Sequence, residues 1–321
     1  MRQAGRYQPE YREVRQHLGL FEICERPDVC TEVTLLPVRQ LGVDAAILFS
    51  DITVPLRAAG IALEIVEGVG PVVAQPLRAA SELHRLRPLV SAQDEPFVAE
   101  AVRLLVRELG DTPLIGFAGG PFTLASYLVE GGPSRSYARL KGMMWAEPSL
   151  FEALLRRLAD LTVEHLSAQA QAGAAALQVF DSWIGCLSPD DYRRRVLPVM
   201  QELFGRLRGL HVPTIYFGVD TGGLLEAMAE AGSDVVGVDW RVDIAAAAAR
   251  IGPQHALQGN LDPALLLAPD DEIAQGARAI LGAMRGRLGH IFNLGHGVLP
   301  QTPADALRRL VDLVHEESAG A

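Results

Sequence analysis

Asp51 sits between two apolar stretches, Ala46-Ile47-Leu48-Phe49 before Ser50 and Ile52-Thr53-Val54-Pro55 after it. A carboxylate in such surroundings must meet a partner or a ligand, because an ionised group left unpaired out of water is costly. A second signal opens the chain, where Arg2, Arg6, Arg12 and Arg15 fall within fifteen residues. Guanidinium groups grip carboxylates through paired hydrogen bonds, so the cluster suits an acidic ligand, although a solvated basic segment would carry the same residues. Gly5, between the first two arginines, argues for loop rather than helix there. The third signal is Gly116-Phe117-Ala118-Gly119-Gly120-Pro121-Phe122-Thr123-Leu124-Ala125-Ser126-Tyr127. It predicts a strand, a tight turn and a helix from about Pro121, whose first N–H groups would suit an anion. Its spacing matches neither a dinucleotide fingerprint nor a phosphate loop. Thr123 and Tyr127 share one face of that helix, where Tyr127 taken alone reads as a core residue before it reads as a ligand contact. His296 lies between Gly295 and Gly297, whereas most of the eight histidines fall in helical or surface contexts.

The groups need a frame, and the apolar pattern supplies one. Short apolar runs over 45–49, 114–117, 175–180, 214–217, 235–238, 257–259 and 291–294 predict strands. Most lack period-two alternation, as strands covered on both faces do. Helical patterns lie between them. One runs over 97–109, with apolar Phe97, Ala101, Leu104, Leu105 and Leu109, and stops at Gly110. Ser188-Pro189-Asp190-Asp191 and Thr302-Pro303-Ala304-Asp305 each join a capping hydroxyl to a proline and nearby acid. Repeated strand-then-helix units build a parallel sheet. Seven strands are visible, the eighth is not, and no linker rich in Pro, Gly or Ser divides the chain. The expectation is one α/β domain over residues 1–321, a somewhat distorted (β/α)8 TIM-type barrel. Segments 61–66 and 71–75, about Gly68 and Gly70, predict a hairpin after the first strand. The alanine run 245–249 predicts a helix packed closely on the barrel.

In such a barrel the C-terminal strand ends converge on one mouth. The predicted ends carry Ser50-Asp51, Gly119-Gly120, Asp181-Ser182, Gly218 with Asp220, Asp239-Trp240, Asn260 with Asp262, and Gly295-His296. Strand ends need turn residues whatever their function, so position alone does not choose among them.

Composition narrows the partners. A chain of 321 residues, 49% hydrophobic and 21% charged, is globular in composition and long enough to bury a large core. The net charge of −10 argues against nucleic acid and leaves any acidic ligand to be held by local positive charge. Cys24, Cys30 and Cys186 do not form a disulfide framework, and no Cys/His spacing resembles a zinc site. Cys24 and Cys30 read as packing residues. No apolar run reaches the roughly 18 residues that span a bilayer, and none follows the opening residues as in a signal peptide. The chain reads as cytoplasmic.

Two stretches then make a specific match. Met1-Arg2-Gln3-Ala4-Gly5-Arg6-Tyr7-Gln8-Pro9-Glu10-Tyr11-Arg12 resembles the N-terminal signature of the uroporphyrinogen decarboxylase family, and the 116–127 run resembles its second signature. Phe49-Ser50-Asp51-Ile52, Phe180-Asp181-Ser182-Trp183, Gly259-Asn260-Leu261-Asp262-Pro263 and Asn293-Leu294-Gly295-His296-Gly297-Val298 follow in the family's order. The resemblance spans essentially the whole chain, and family members usually carry a further segment ahead of the arginine motif.

The resemblance implies loss of CO2 from the four acetate side chains of uroporphyrinogen III, giving coproporphyrinogen III for haem biosynthesis, with no cofactor and no metal. It implies Asp51, Arg2 and Tyr127 as catalytic residues, and Arg2, Arg6, Asp51, Tyr127, Ser182 and His296 as substrate contacts. It also implies a homodimer with facing clefts. Two rivals share parts of the pattern. A zinc-dependent corrinoid or thiol methyltransferase of the same barrel superfamily would need His and Cys ligands near the later strands. Here no cysteine accompanies His255, and only His290, His296 and His315 follow it. A catalytically inactive tetrapyrrole-binding paralogue is opposed by the intact Arg2, Arg6, Asp51, Tyr127 and His296.

Overall fold

The apolar runs become nine strands in the computed structural model, which describes residues 3–318. They are β1 Ala46–Ile47, β2 Leu63–Val66, β3 Gly70–Val73, β4 Leu114–Gly119, β5 Ala176–Phe180, β6 Thr214–Phe217, β7 Val235–Gly237, β8 Ala256–Leu261 and β9 His290–Leu294. Seven of them form one parallel sheet in the order β1-β4-β5-β6-β7-β8-β9. Curled and surrounded by helices, this sheet is the expected TIM-type barrel architecture. The expected hairpin is β2 paired antiparallel with β3.

The first strand is the shortest of the seven, and its outer edge is satisfied by a side chain. On one edge Ala46 N–H donates to Pro113 O and Leu48 N–H to Ile115 O, beside β4. On the other, Ile47 N–H donates to Gln3 Oε1 at 2.9 Å and Gln3 Nε2 donates to Ala45 O at 2.8 Å. The amide of Gln3 thus stands where a neighbouring strand's peptide would, so these backbone groups are not left orphaned. Gln8, fully buried, holds the same segment from behind: its Oε1 accepts from Gly5 N–H and its Nε2 donates to Gln40 Oε1. The opening loop is therefore part of the barrel wall. The last helix, Ala304–Ser318, reaches the same region, where Arg308 Nε donates to Gln40 O at 3.0 Å.

Inside and outside are separated by residue size. A Cβ on Gly116 would lie 2.3 Å from Gln169 Oε1, on the 25-residue helix Pro148–Ala172. Gln169 bonds both the N–H and the carbonyl of Phe117. Gly116 thus faces the helix layer and Phe117 faces inward, where the rings of Phe117, Phe180 and Phe217 meet edge-on at 5.4 and 6.0 Å. Leu154, Leu155, Leu158 and Leu166 seal the outer layer, each burial worth about 1.5–3 kcal/mol before entropy is counted.

Helix ends show where local reading holds. Ser188 Oγ accepts from Asp191 N–H at 3.1 Å, as its motif predicts. Thr302 does not cap. Its own N–H closes a turn onto Leu299 O, and its buried hydroxyl meets no partner among the described residues. The alanine run lies in the helix Ile244–Ile251, but only Ile244 and Ala247 are buried there. That helix touches the barrel along one narrow face rather than packing closely all along.

Candidate active site

Four strand-end aspartates divide the work at the mouth. Asp51 follows β1 and is half-buried. Its Oδ1 accepts from Thr53 N–H at 2.9 Å and from Thr53 Oγ at 2.5 Å. Thr53 is fully buried, so this turn fixes the carboxylate's direction. Its Oδ2 accepts no hydrogen bond from any described residue. Behind it, the Cys24 thiol meets the Ser50 side chain and the Asp51 backbone, and Cys30 Sγ donates to Phe49 O. Burial pushes both thiols up, Cys30 to about 12. They stay protonated and pack, as expected.

Asp181 follows β5 and is fully buried. Thr123 N–H and Oγ donate to its Oδ1 at 2.8 and 2.6 Å, and Tyr216 OH donates to its Oδ2 at 3.3 Å. Burial pushes this carboxyl up to about 6, against the downward pull of those bonds. Gly120 permits the approach, since a Cβ there would lie 2.4 Å from Asp181 Cγ. This corrects one expectation. The start of the helix Pro121–Glu130 is occupied by the protein's own carboxylate rather than open to a ligand anion.

Asp239, after β7, is also buried; Arg241 Nη1 donates to it at 2.7 Å and Asp220 N–H at 2.6 Å. Asp262 caps the turn after β8 through Ala264 N–H. These acids are turn chemistry in the ordinary sense.

The remaining candidates gather around two aromatic side chains. Ser182 is half-buried directly after Asp181. The next residue, Trp183, donates its N–H to Thr123 Oγ at 3.1 Å and packs its ring 4.2 Å from that of Tyr127. Through Trp183, the turn that carries Ser182 lies against the helix that carries Tyr127. His296 is exposed and meets the Trp240 ring edge-on at 5.8 Å. Gly295 makes this possible, because a Cβ there would lie 2.3 Å from Trp240 N. On the same indole sits the Arg241 guanidinium, 3.9 Å from the ring centroid. Sequence reasoning passed over Arg241, although a basic residue following Asp239-Trp240 at a strand end was a visible signal.

Of the arginines at the start of the chain, Arg12 and Arg15 spend hydrogen bonds on backbone carbonyls of Arg6, Tyr7 and Leu18. Arg6 is exposed, three residues beyond Gln3, and its guanidinium has no partner among the described residues. Arg2 lies outside the described residues. Also among the described residues, no three His, Cys, Asp or Glu side chains gather as a metal ion would require.

A barrel whose strand ends present acids, hydroxyls and aromatic rings around one mouth is built as an enzyme of the TIM-barrel type. Residues 1–317 match the family model described as uroporphyrinogen decarboxylase (URO-D). The chain belongs to this family. It is 56% identical over 319 residues to the uroporphyrinogen decarboxylase of Salinispora tropica, covering 99% of this chain and 86% of that relative. The uroporphyrinogen decarboxylase of Streptomyces coelicolor is 57% identical over 318 residues, covering 99% of this chain and 89% of that one. A solved methyltransferase from Methanosarcina mazei shares the fold, with a TM-score of 0.76 at 23% identity, over 92% of this chain and 87% of that chain. At that identity the likeness speaks to fold alone, and the methyltransferase alternative gains nothing from it.

Proposed function

We propose that this chain, read as one barrel domain, removes CO2 from the four acetate side chains of uroporphyrinogen III to give coproporphyrinogen III. The observation that carries the reading is the Asp51 carboxylate at the mouth, fixed through one oxygen while the other accepts no hydrogen bond among the described residues. Its relatives at 56–57% identity carry that activity in their names.

The chemistry follows from the substrate. Breaking the bond between an acetate methylene and its carboxylate leaves an electron pair that needs a sink. A proton added to the pyrrole α-carbon makes the ring cationic, and the ring accepts the pair as CO2 departs. A second proton converts the exocyclic carbon to methyl, and loss of the first restores the pyrrole. Each cycle consumes one proton net and needs no cofactor as electron sink. Asp51 accepts pyrrole N–H bonds and opposes the cation as it forms, an interaction worth most where it strengthens in the transition state. Arg6 and Arg2 grip peripheral carboxylates through charge-assisted bonds. Tyr127 and Ser182 bound one side of the mouth, and His296 takes a further carboxylate or relays a proton. We place the enzyme in the cytoplasm as a homodimer with facing clefts. The three free cysteines suit a reducing compartment.

The test is anaerobic incubation with uroporphyrinogen, then oxidation and chromatography. Porphyrins with seven down to four carboxylates are expected. A product profile identical to the enzyme-free control would sink the proposal.

A further inference from the structure

We propose that Asp181 is the positioning residue of this mouth: its carboxylate fastens the helix Pro121–Glu130 to the turn after β5, and so sets where Tyr127 and Ser182 face. The inference rests on the reading of Tyr127 and Ser182 as substrate contacts.

Every bond to this carboxylate reaches an element that carries a site residue or braces one. Thr123, on the helix, gives both of its donors to Oδ1. Its hydroxyl also accepts from Trp183 N–H on the turn, so one Thr oxygen joins the two elements through the acid. Trp183 then lies between two rings, 4.2 Å from Tyr127 and 5.2 Å from Tyr137. Tyr127 stands one helical turn beyond Thr123, and Ser182 is the residue between the carboxylate and Trp183. From the barrel side, Tyr216 OH holds Oδ2 and is itself held by Tyr192 OH at 3.2 Å. Thr123, Asp181, Tyr192 and Tyr216 are all at 0% exposure.

Among the described residues no cation bonds this acid. An acceptor-only carboxylate can take several donors in fixed directions, which suits a joint better than it suits stability, since burying it costs free energy. The chain keeps a costly group where two substrate-facing side chains need a common anchor. Supporting residues of this kind act through geometry, and a displacement of about 1 Å at a reacting centre costs about 10²-fold in rate.

The test compares Asp181→Ala, Asp181→Asn, Thr123→Val and Thr123→Ser with Tyr127→Phe and Ser182→Ala. Each enzyme is labelled with 5-fluorotryptophan, and kcat and KM on uroporphyrinogen are measured beside the fluorine NMR spectrum. The three tryptophans are assigned by single Trp→Phe variants. Asp181→Ala is expected to lower kcat about 10²-fold with KM changed less than about threefold, and Thr123→Val about tenfold. Asp181→Asn and Thr123→Ser, which keep the bonding shape, should lose less than about fivefold. The Trp183 resonance should shift and broaden in Asp181→Ala and Thr123→Val, while those of Trp145 and Trp240 hold still. An unmoved Trp183 resonance in both variants overturns the inference. So does an Asp181→Ala enzyme with normal kcat while Tyr127→Phe is impaired. If Tyr127→Phe and Ser182→Ala both turn over normally while the Trp183 resonance moves, the substrate-contact reading fails and the joint stands. Should Asp181→Ala not fold, Thr123→Val carries the same readouts.

Discussion

Asp51 and Asp181 occupy equivalent places, each the first acid after a barrel strand, yet their surroundings are opposite. Asp51 is half-buried and keeps one oxygen clear of donors among the described residues. Asp181 is sealed, with both oxygens engaged and its carboxyl pushed up to about 6 by burial. Both use a threonine two donors deep, Thr53 in one case and Thr123 in the other. The difference lies in what the threonine belongs to. Thr53 is a local neighbour, so its turn orients Asp51 and leaves the rest of the carboxylate to the mouth. Thr123 is 58 residues away, so its bonds turn Asp181 into a tie between distant segments. Engagement of the second oxygen by described residues, rather than place in the βα unit, distinguishes the two acids.

The contrast is tested most severely by Asp51→Asn. That variant should fold normally and lose about 10²–10³ in kcat, more than Asp181→Asn loses, because the proposed mechanism sets only Asp51 against the developing cation. A smaller loss for Asp51→Asn than for Asp181→Asn in steady-state turnover would reverse the assignment. Arg6→Ala should act on binding instead. We expect KM to rise about tenfold with kcat little changed, and the rise to shrink in high salt, as screening predicts for an exposed charge. His296→Ala should cost about threefold to tenfold in kcat/KM, less than removal of Asp51, because the ring is exposed and shares its indole with Arg241.

The smallest effect is on stability and belongs to Asp181 alone. Its carboxyl is raised in the fold from the ordinary 3.8 to about 6. The folded state therefore binds the proton more tightly, so the group favours folding most at low pH, below about 4, and that benefit is lost as pH rises through 6. Asp181→Asn does not titrate. The melting temperature of the unmodified enzyme relative to this variant should fall by a few degrees between pH 4.5 and pH 7.5. A constant difference across that range would mean that the buried carboxyl titrates normally.

Much of the frame was legible in the sequence because the signals are local. Strand positions agreed to within two residues, since a run of apolar residues buried on both faces has few alternatives. The hairpin about Gly68 and Gly70 and the Ser188 cap followed from turn and helix-end chemistry. The site was legible as a set of strand ends but not as a division of labour. Nothing near position 123 says that its N–H groups are spoken for, because the acceptor comes from another strand. The same limit hid the Trp183 contact with Tyr127 and the stacking of Arg241 on Trp240. Thr302 failed as a cap because its surroundings, not its motif, turn its hydroxyl inward.

The side-chain amide that completes the outer edge of β1 makes the barrel's seam a readable gauge. The Ile47 N–H has Gln3 Oε1 as its acceptor, and Arg6 sits three residues along that same segment. On the proposed role of Arg6, a bound polyanion should tighten the loop, and Gln3 on that loop shields one peptide hydrogen in the wall. Deuterium uptake at Ile47 should therefore slow when substrate or product is bound, reporting occupancy of the mouth from a residue that touches no ligand.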